Sequence, residues 1–260
     1  MNPFRIQVKG ECVMSREHLL RNAEVNSRHP FIEAKFKPID RKLAIVGGGP
    51  LVLHDLPELK AWDGDVWGIN HTAQWLNEQG VRATLFTVDP VPFTVSAPDA
   101  ILGSVCDPSV FAQFEGRVRT FHMLQTHAEG LSGGTFSSTC AAAVALRMGY
   151  ANVSFFGCEG SFEERDHVDR HEDRPHQLII RAGGRDYKTI PPFIIQCEEL
   201  MKLFVFDGVF HNRSGGLLQA MIDNPDTWEV VAVSAAFKTH LESVNGAVGL
   251  YERPYVPDAA

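Results

Sequence analysis

Two glycine turns hold the residues whose types and spacing best suit chemistry. Val46-Gly47-Gly48-Gly49-Pro50 follows the apolar run Leu43–Val46, which reads as a buried strand. Leu131-Ser132-Gly133-Gly134-Thr135 opens a helix-like stretch from Thr135 to Met148, closed by Gly149. Glycine lets a backbone turn sharply and lets a ligand approach its N–H groups with no Cβ in the way. A helix N-terminus adds unpaired donors and a positive dipole end, a setting for phosphate. Two such turns point to a nucleotide pocket.

The first turn is not an ordinary dinucleotide fingerprint. Gly-x-Gly-x-x-Gly would need glycine where Val52 stands, and Pro50 lies inside the motif. No Lys-Ser or Lys-Thr follows, so it is not a P-loop either. Polar residues recur just past apolar runs: Asn70-His71, Asp89-Pro90 and Gly157-Cys158-Glu159-Gly160. Ligands of open parallel sheets bind at strand carboxyl ends. There Asn70 can read a base or ribose, and Asp89 and Glu159 can hold a ribose hydroxyl or a metal ion. Each alone could equally cap a helix or form a turn.

The most polar stretch, Glu163 to His176, carries three histidines, three arginines and six carboxylates. It reads either as a solvated loop or as a lid over the glycine turns. In the lid reading His167 is the general base, and the arginines clamp phosphate. His167 and His171 have i,i+4 spacing without the glutamate of His-Glu-x-x-His, so a metal site stays open. Ser137 and Ser138 lie in no Gly-x-Ser-x-Gly elbow; capping and phosphate contacts explain Ser132 and Thr135 better.

The elements that must position these residues alternate. Strands are expected at 43–46, 65–70, 83–88, 100–104, 118–122, 152–157, 209–212 and 228–233. Helices are expected at about 15–27, 71–79, 107–115, 135–148 and 193–206. The alternation predicts an α/β, Rossmann-like fold, a mostly parallel sheet with helices on both faces. The expected organisation is an N-terminal arm at 1–41, a nucleotide-binding domain at 42–235 with a lid at 160–190, and a C-terminal strap at 236–260. The segment Asp186–Pro192 reads as a connector from the lid to a core helix.

Bulk properties narrow the partners. The 260 residues carry a formal charge of −8, which argues against nucleic acid but not against a small anion in a locally positive site. No apolar run is long enough to span a membrane, and the first residues lack a signal peptide's apolar stretch. The 5 cysteines are scattered and form no Cys-x-x-Cys pair, as expected of reduced thiols in a cytoplasmic protein. Whether a homo-oligomer forms through the arm or strap is left open.

In order along the chain, Gly-Gly-Gly-Pro, Ile-Asn, Asp-Pro, Ser-Gly-Gly-Thr with its Ala-rich helix, and Val-Ser-Phe-Phe-Gly-Cys-Glu form a pattern. The pattern resembles the 6-hydroxymethylpterin pyrophosphokinase-like family with its bacterial and phage relatives. It is also similar to the bacterial sialyltransferases that use a CMP-linked sugar. The resemblance spans about residues 42–220 and is most specific over 132–160. It implies a nucleotide-dependent transferase, with pyrophosphoryl transfer from a nucleoside triphosphate as the main expectation. The alternatives are sialyltransferase-type glycosyl transfer and a non-catalytic nucleotide- or sugar-binding protein of phage origin. By resemblance, Gly47 to Pro50, Asn70, Asp89, Ser132 to Thr135, Gly157 and Glu159 lie at the nucleotide, and His167 is the base. Asp89 stands where the sialyltransferases carry Asn. An acid beside phosphate favours a magnesium ion with the triphosphate, or a ribose contact away from the phosphates.

Overall fold

The computed structural model describes residues 14–33, 37–123, 130–131, 133–168, 174, 176–204, 208–225 and 227–239. In chain order these form α1 (Arg16–Asn26), β1 (Lys42–Val46), α2 (Val52–Lys60), β2 (Gly64–Ile69), α3 (Thr72–Glu78) and β3 (Thr84–Thr87). Next come β4 (Ala100–Gly103), α4 (Pro108–Ala112), β5 (Val118–Phe121), α5 (Ser137–Arg147) and β6 (Val153–Phe156). The remainder are β7 (Leu178–Ala182), β8 (Arg185–Thr189), α6 (Pro191–Leu203), β9 (Phe210–Asn212), α7 (Gly216–Asp223) and β10 (Glu229–Val233).

Seven strands make one sheet in the order β5-β4-β3-β2-β1-β6-β9, every neighbouring pair parallel. A parallel sheet must be covered on both faces, which is why its strands are short, nearly unbroken apolar runs. Alternate residues of β1 serve opposite cores. Leu43 and Ile45 pack with Cys140, Ala141 and Val144 of α5, whereas Ala44 and Val46 pack with Val52, Leu59 and Leu76 of α2 and α3. The change of face follows from handedness. The chain winds outward from β1 to β5, then returns through α5 to β6 on the other side of β1. Right-handed crossovers running in opposite directions put their helices on opposite faces. The expected α/β Rossmann-like arrangement is what the chain adopts.

The structure departs from the expected elements in several places, and strand β7 is one that was not expected. Helix α2 was not anticipated; Pro57 stands in its interior, and buried Val52 and Leu59 hold it to the sheet nonetheless. Helix α7 was also missed. Asp186–Pro192 is not a connector: its first part lies in β8, which pairs antiparallel with β7 in a second sheet ordered β10-β7-β8. The overlooked signal was Gly183-Gly184, with φ of 56° and 76°, the two positive values that a tight hairpin turn requires. Finally, α5 starts at Ser137 rather than Thr135, for a reason that belongs to the site.

Helix α1 is capped by Ser15, whose Oγ accepts from His18 N–H at 3.3 Å. It is more than an exposed helix. Asn22 donates to Val105 O, and Asn26 donates to Ser104 O and Cys106 O, all at 2.8–3.0 Å. Both side chains are buried and latch α1 to the loop after β4. Cys106, Cys140, Cys158 and Cys197 are buried free thiols; Cys12 lies outside the described residues. No helix among the described residues is long and apolar enough to cross a membrane.

Candidate functional site

The point where strand order reverses, between β1 and β6, opens a crevice at the strand carboxyl ends. Its floor is two glycine loops bonded to each other. Gly47 N–H donates to Phe156 O at 2.8 Å, and Gly49 N–H donates to Gly157 O at 2.9 Å. Gly157 has φ of 61°, and a Cβ there would strike the carbonyl oxygen of Gly47. The two backbones meet this closely only because neither residue has a side chain.

Above the floor lies a cavity of about 750 Å³. The structure brings Gly47, Gly48, Gly49, Asn70, Asp89, Gly134, Thr135, Gly157, Glu159 and His167 to its wall. Two expected residues are elsewhere. Pro50 sits in the turn that opens α2, and Gly133 packs against Cys140 of α5, where a Cβ would not fit. Ser132 and His171 lie outside the described residues. The reading of the sequence missed Leu19, Thr72, Met123, Phe136, Phe193 and Gln196, which also line the cavity. Leu19 belongs to the segment read as an arm. The available hint was Asn22 and Asn26, four apart on one helical face.

Asn70 is the one non-glycine residue with positive φ among the described residues, at 52°. Its N–H donates to Phe86 O, its carbonyl accepts from Ala73 N–H, and its buried Oδ1 has no hydrogen-bond partner among the described residues. A left-handed backbone and an unmet acceptor at a cavity wall make Asn70 a candidate ligand contact. Asn70→Gly should therefore leave the melting temperature unchanged or slightly raised. It should weaken any crevice ligand that donates to Oδ1 about tenfold through the lost hydrogen bond, measured by calorimetry. Equal affinity in the two proteins would remove Asn70 from the site.

Glu159 is 1% exposed at the base of the cavity. Oε1 accepts from Leu51 N–H at 2.7 Å, at the start of α2, while Oε2 is packed under Gly49 with no partner among the described residues. Burial pushes its carboxyl from the ordinary 4.5 up to about 7, against the lowering pull of the Leu51 hydrogen bond. A carboxyl that is about half protonated at neutral pH repels an anion less than an ordinary carboxylate would. Asp89 is half-buried; its Oδ1 accepts from Val91 N–H at 3.0 Å, so it forms the turn at Pro90 as well as facing the cavity.

Thr135 departs most from expectation. Its N–H and hydroxyl both donate to the carboxylate of Glu199 on α6, at 2.7–3.1 Å, and Thr139 Oγ1 donates to the same carboxylate at 3.0 Å. An anion from the protein itself thus occupies donors assigned to phosphate, and it draws Thr135 out of the helix.

The polar stretch leans on the first glycine turn. Val168 N–H donates to Gly48 O at 2.8 Å, and a Cβ on Gly48 would meet His167 Nδ1 and Thr72 Oγ1. Arg174 bridges behind it, its Nε 2.6 Å from buried Asp166 Oδ2 and its Nη2 2.9 Å from His167 Nε2. A guanidinium only donates, so Nε2 accepts and the proton of the neutral ring sits on Nδ1, the nitrogen facing Gly48. Arg174 is thereby engaged by two side chains of the polar stretch itself. Among the described residues no three His, Cys, Asp or Glu side chains gather as a metal-ligand set.

Fold and site together define a Rossmann-like α/β protein with a crevice at its topological switch point. No protein-family model and no curated protein sequence matches the chain. A solved structure, the MAf glycosyltransferase from Magnetospirillum magneticum AMB-1, superposes with a TM-score of 0.64 over 80% of this chain at 14% identity. The chain spans 38% of that protein's length. The likeness establishes a shared fold, and nothing in the comparisons supports the pyrophosphokinase side of the sequence resemblance.

Proposed function

We propose that this protein is a transferase of glycosyltransferase type, taking a nucleotide-linked sugar of the CMP-sugar class. The observation that carries the reading is the switch-point crevice itself, floored by bare backbone at Gly47–Gly49 and Gly157 in a fold shared with a glycosyltransferase. The glycine turns admit the phosphate and ribose, and Asn70 Oδ1 accepts a hydrogen bond from the base or ribose.

The roles of the two catalytic candidates divide by chemistry. With Arg174 on Nε2, His167 presents an N–H, which suits stabilising charge that grows on the departing nucleotide phosphate. Asp89, a carboxylate at the cavity wall, takes the proton from the acceptor hydroxyl. This reassigns the base expected at His167.

The test is a thermal-shift series with CMP, CMP-sialic acid, other nucleotide sugars and ATP, each with magnesium or with EDTA. The expected result is metal-independent stabilisation by CMP and its sugar, about 2.7 kcal/mol at a hundredfold excess over Kd. A shift confined to a triphosphate with magnesium would overturn the reading and restore pyrophosphoryl transfer. Binding without sugar release or transfer would leave a binding protein.

A further inference from the structure

At the opposite end of the sheet, under the strand amino termini, runs a second groove of about 870 Å³. Its wall includes Arg41, Lys60, Arg82, Arg117 and Arg119, set against two carboxylates, Asp65 and Asp99. The chain as a whole has the reverse balance, 24 basic residues to 32 acidic. A concave surface focuses the field of such a cluster.

The acids in the groove are already engaged. Asp65 accepts from Arg41 at 2.7 Å and from the Tyr150 hydroxyl at 2.6 Å, and Asp99 accepts from the Thr84 hydroxyl. Apart from Arg41, which is paired with Asp65, the cations are much less so. Arg82 lies 3.9 Å from Asp99 with its side chain 83% exposed. Arg117 donates to the neutral carbonyls of Ala97, Pro98 and Gln113, which leaves its charge uncancelled. Among the described residues, neither Lys60 nor Arg119 has an ion-pair partner.

The topology spreads these charges in a line. Arg41 precedes β1, Lys60 precedes β2, Arg82 precedes β3, and Arg117 and Arg119 lie at β5, in a sheet whose order here is β5-β4-β3-β2-β1. Strands sit about 4.8 Å apart, so the row extends about 19 Å. One anion cannot reach across it. Four of the five cations are arginines, whose planar forks match phosphate oxygens in pairs.

We propose that this groove is a binding site for a linear ligand carrying several phosphate groups, separate from the crevice at the carboxyl ends. It does not depend on the transfer reaction proposed above. The probes are inorganic tripolyphosphate and inorganic phosphate, titrated calorimetrically at about 50 mM salt, where screening is modest. Tripolyphosphate should bind at least tenfold more tightly than phosphate. The double variant R82Q/R119Q should lower tripolyphosphate affinity at least tenfold while leaving CMP stabilisation intact, and Asn70→Gly should leave tripolyphosphate affinity alone. Lys60→Gln, at an exposed helix end, should weaken tripolyphosphate in the same direction and guards against a misfolded double variant. No binding at millimolar tripolyphosphate, equal affinity for the two probes, or affinity that survives R82Q/R119Q and K60Q would overturn the proposal.

Discussion

Gly157→Ala is expected to destabilise the fold by about 3 kcal/mol or more and to abolish ligand capture in the crevice. Two costs add at this position. Its φ of 61° lies in the left-handed region, which a Cβ disfavours by about 1–2 kcal/mol. The new methyl would also strike Gly47 O, a backbone atom that cannot swing aside as a side-chain tip can. Relief would require β1 and β6 to part at the crevice floor, breaking the Gly49–Gly157 hydrogen bond. Gly80→Ala separates the two costs: φ is 83°, but a Cβ there meets nothing within 4 Å. Urea midpoints should show Gly80→Ala losing about 1 kcal/mol and Gly157→Ala several times that. Equal losses would mean the loops do not pack as described.

The second large effect is on pH dependence. Glu159 rises from 4.5 to about 7, chiefly through burial. The native state therefore keeps a proton that the unfolded chain releases above pH 4.5. The contribution to stability is full below that value, declines as pH climbs towards 7, and is flat beyond. The difference in pKa corresponds to about 3 kcal/mol across this window. Glu159→Gln keeps an acceptor for Leu51 N–H and cannot ionise. Subtracting its stability profile from that of the native protein isolates the group, since a constant offset from the amide cancels. The native protein should lose about 3 kcal/mol relative to Glu159→Gln between pH 4.5 and 7.5. Parallel profiles would show that the carboxyl is solvated rather than sealed under Gly49.

Those two residues mark where the sequence was legible. Gly157 and Glu159 were identifiable because they directly follow an apolar run, Val153–Phe156, and strand-end turns are written in adjacent residues. The same holds for Gly47–Gly49, Asn70 and Asp89. Thr135 misled for the complementary reason: its local pattern is that of an anion-binding helix start, and the carboxylate that takes its donors comes from Glu199, 64 residues later. Helix α2 went unread, and its Pro57 is tolerated because burial of Val52 and Leu59 outweighs a local penalty.

The sequence by itself determined a mostly parallel sheet covered on both faces and the glycine turns at strand ends, since periodicity and turn chemistry act over a few residues. Tertiary structure alone decided that β6 lies beside β1, which sets Gly47 against Gly157. It also decided that Glu159 is sealed beneath Gly49, that Arg174 sits against His167 Nε2, and that five cations line the far edge of the sheet. Such pairings join residues far apart in the chain. They are set by crossover handedness, close packing and the field of charges brought together, none of which leaves a local pattern.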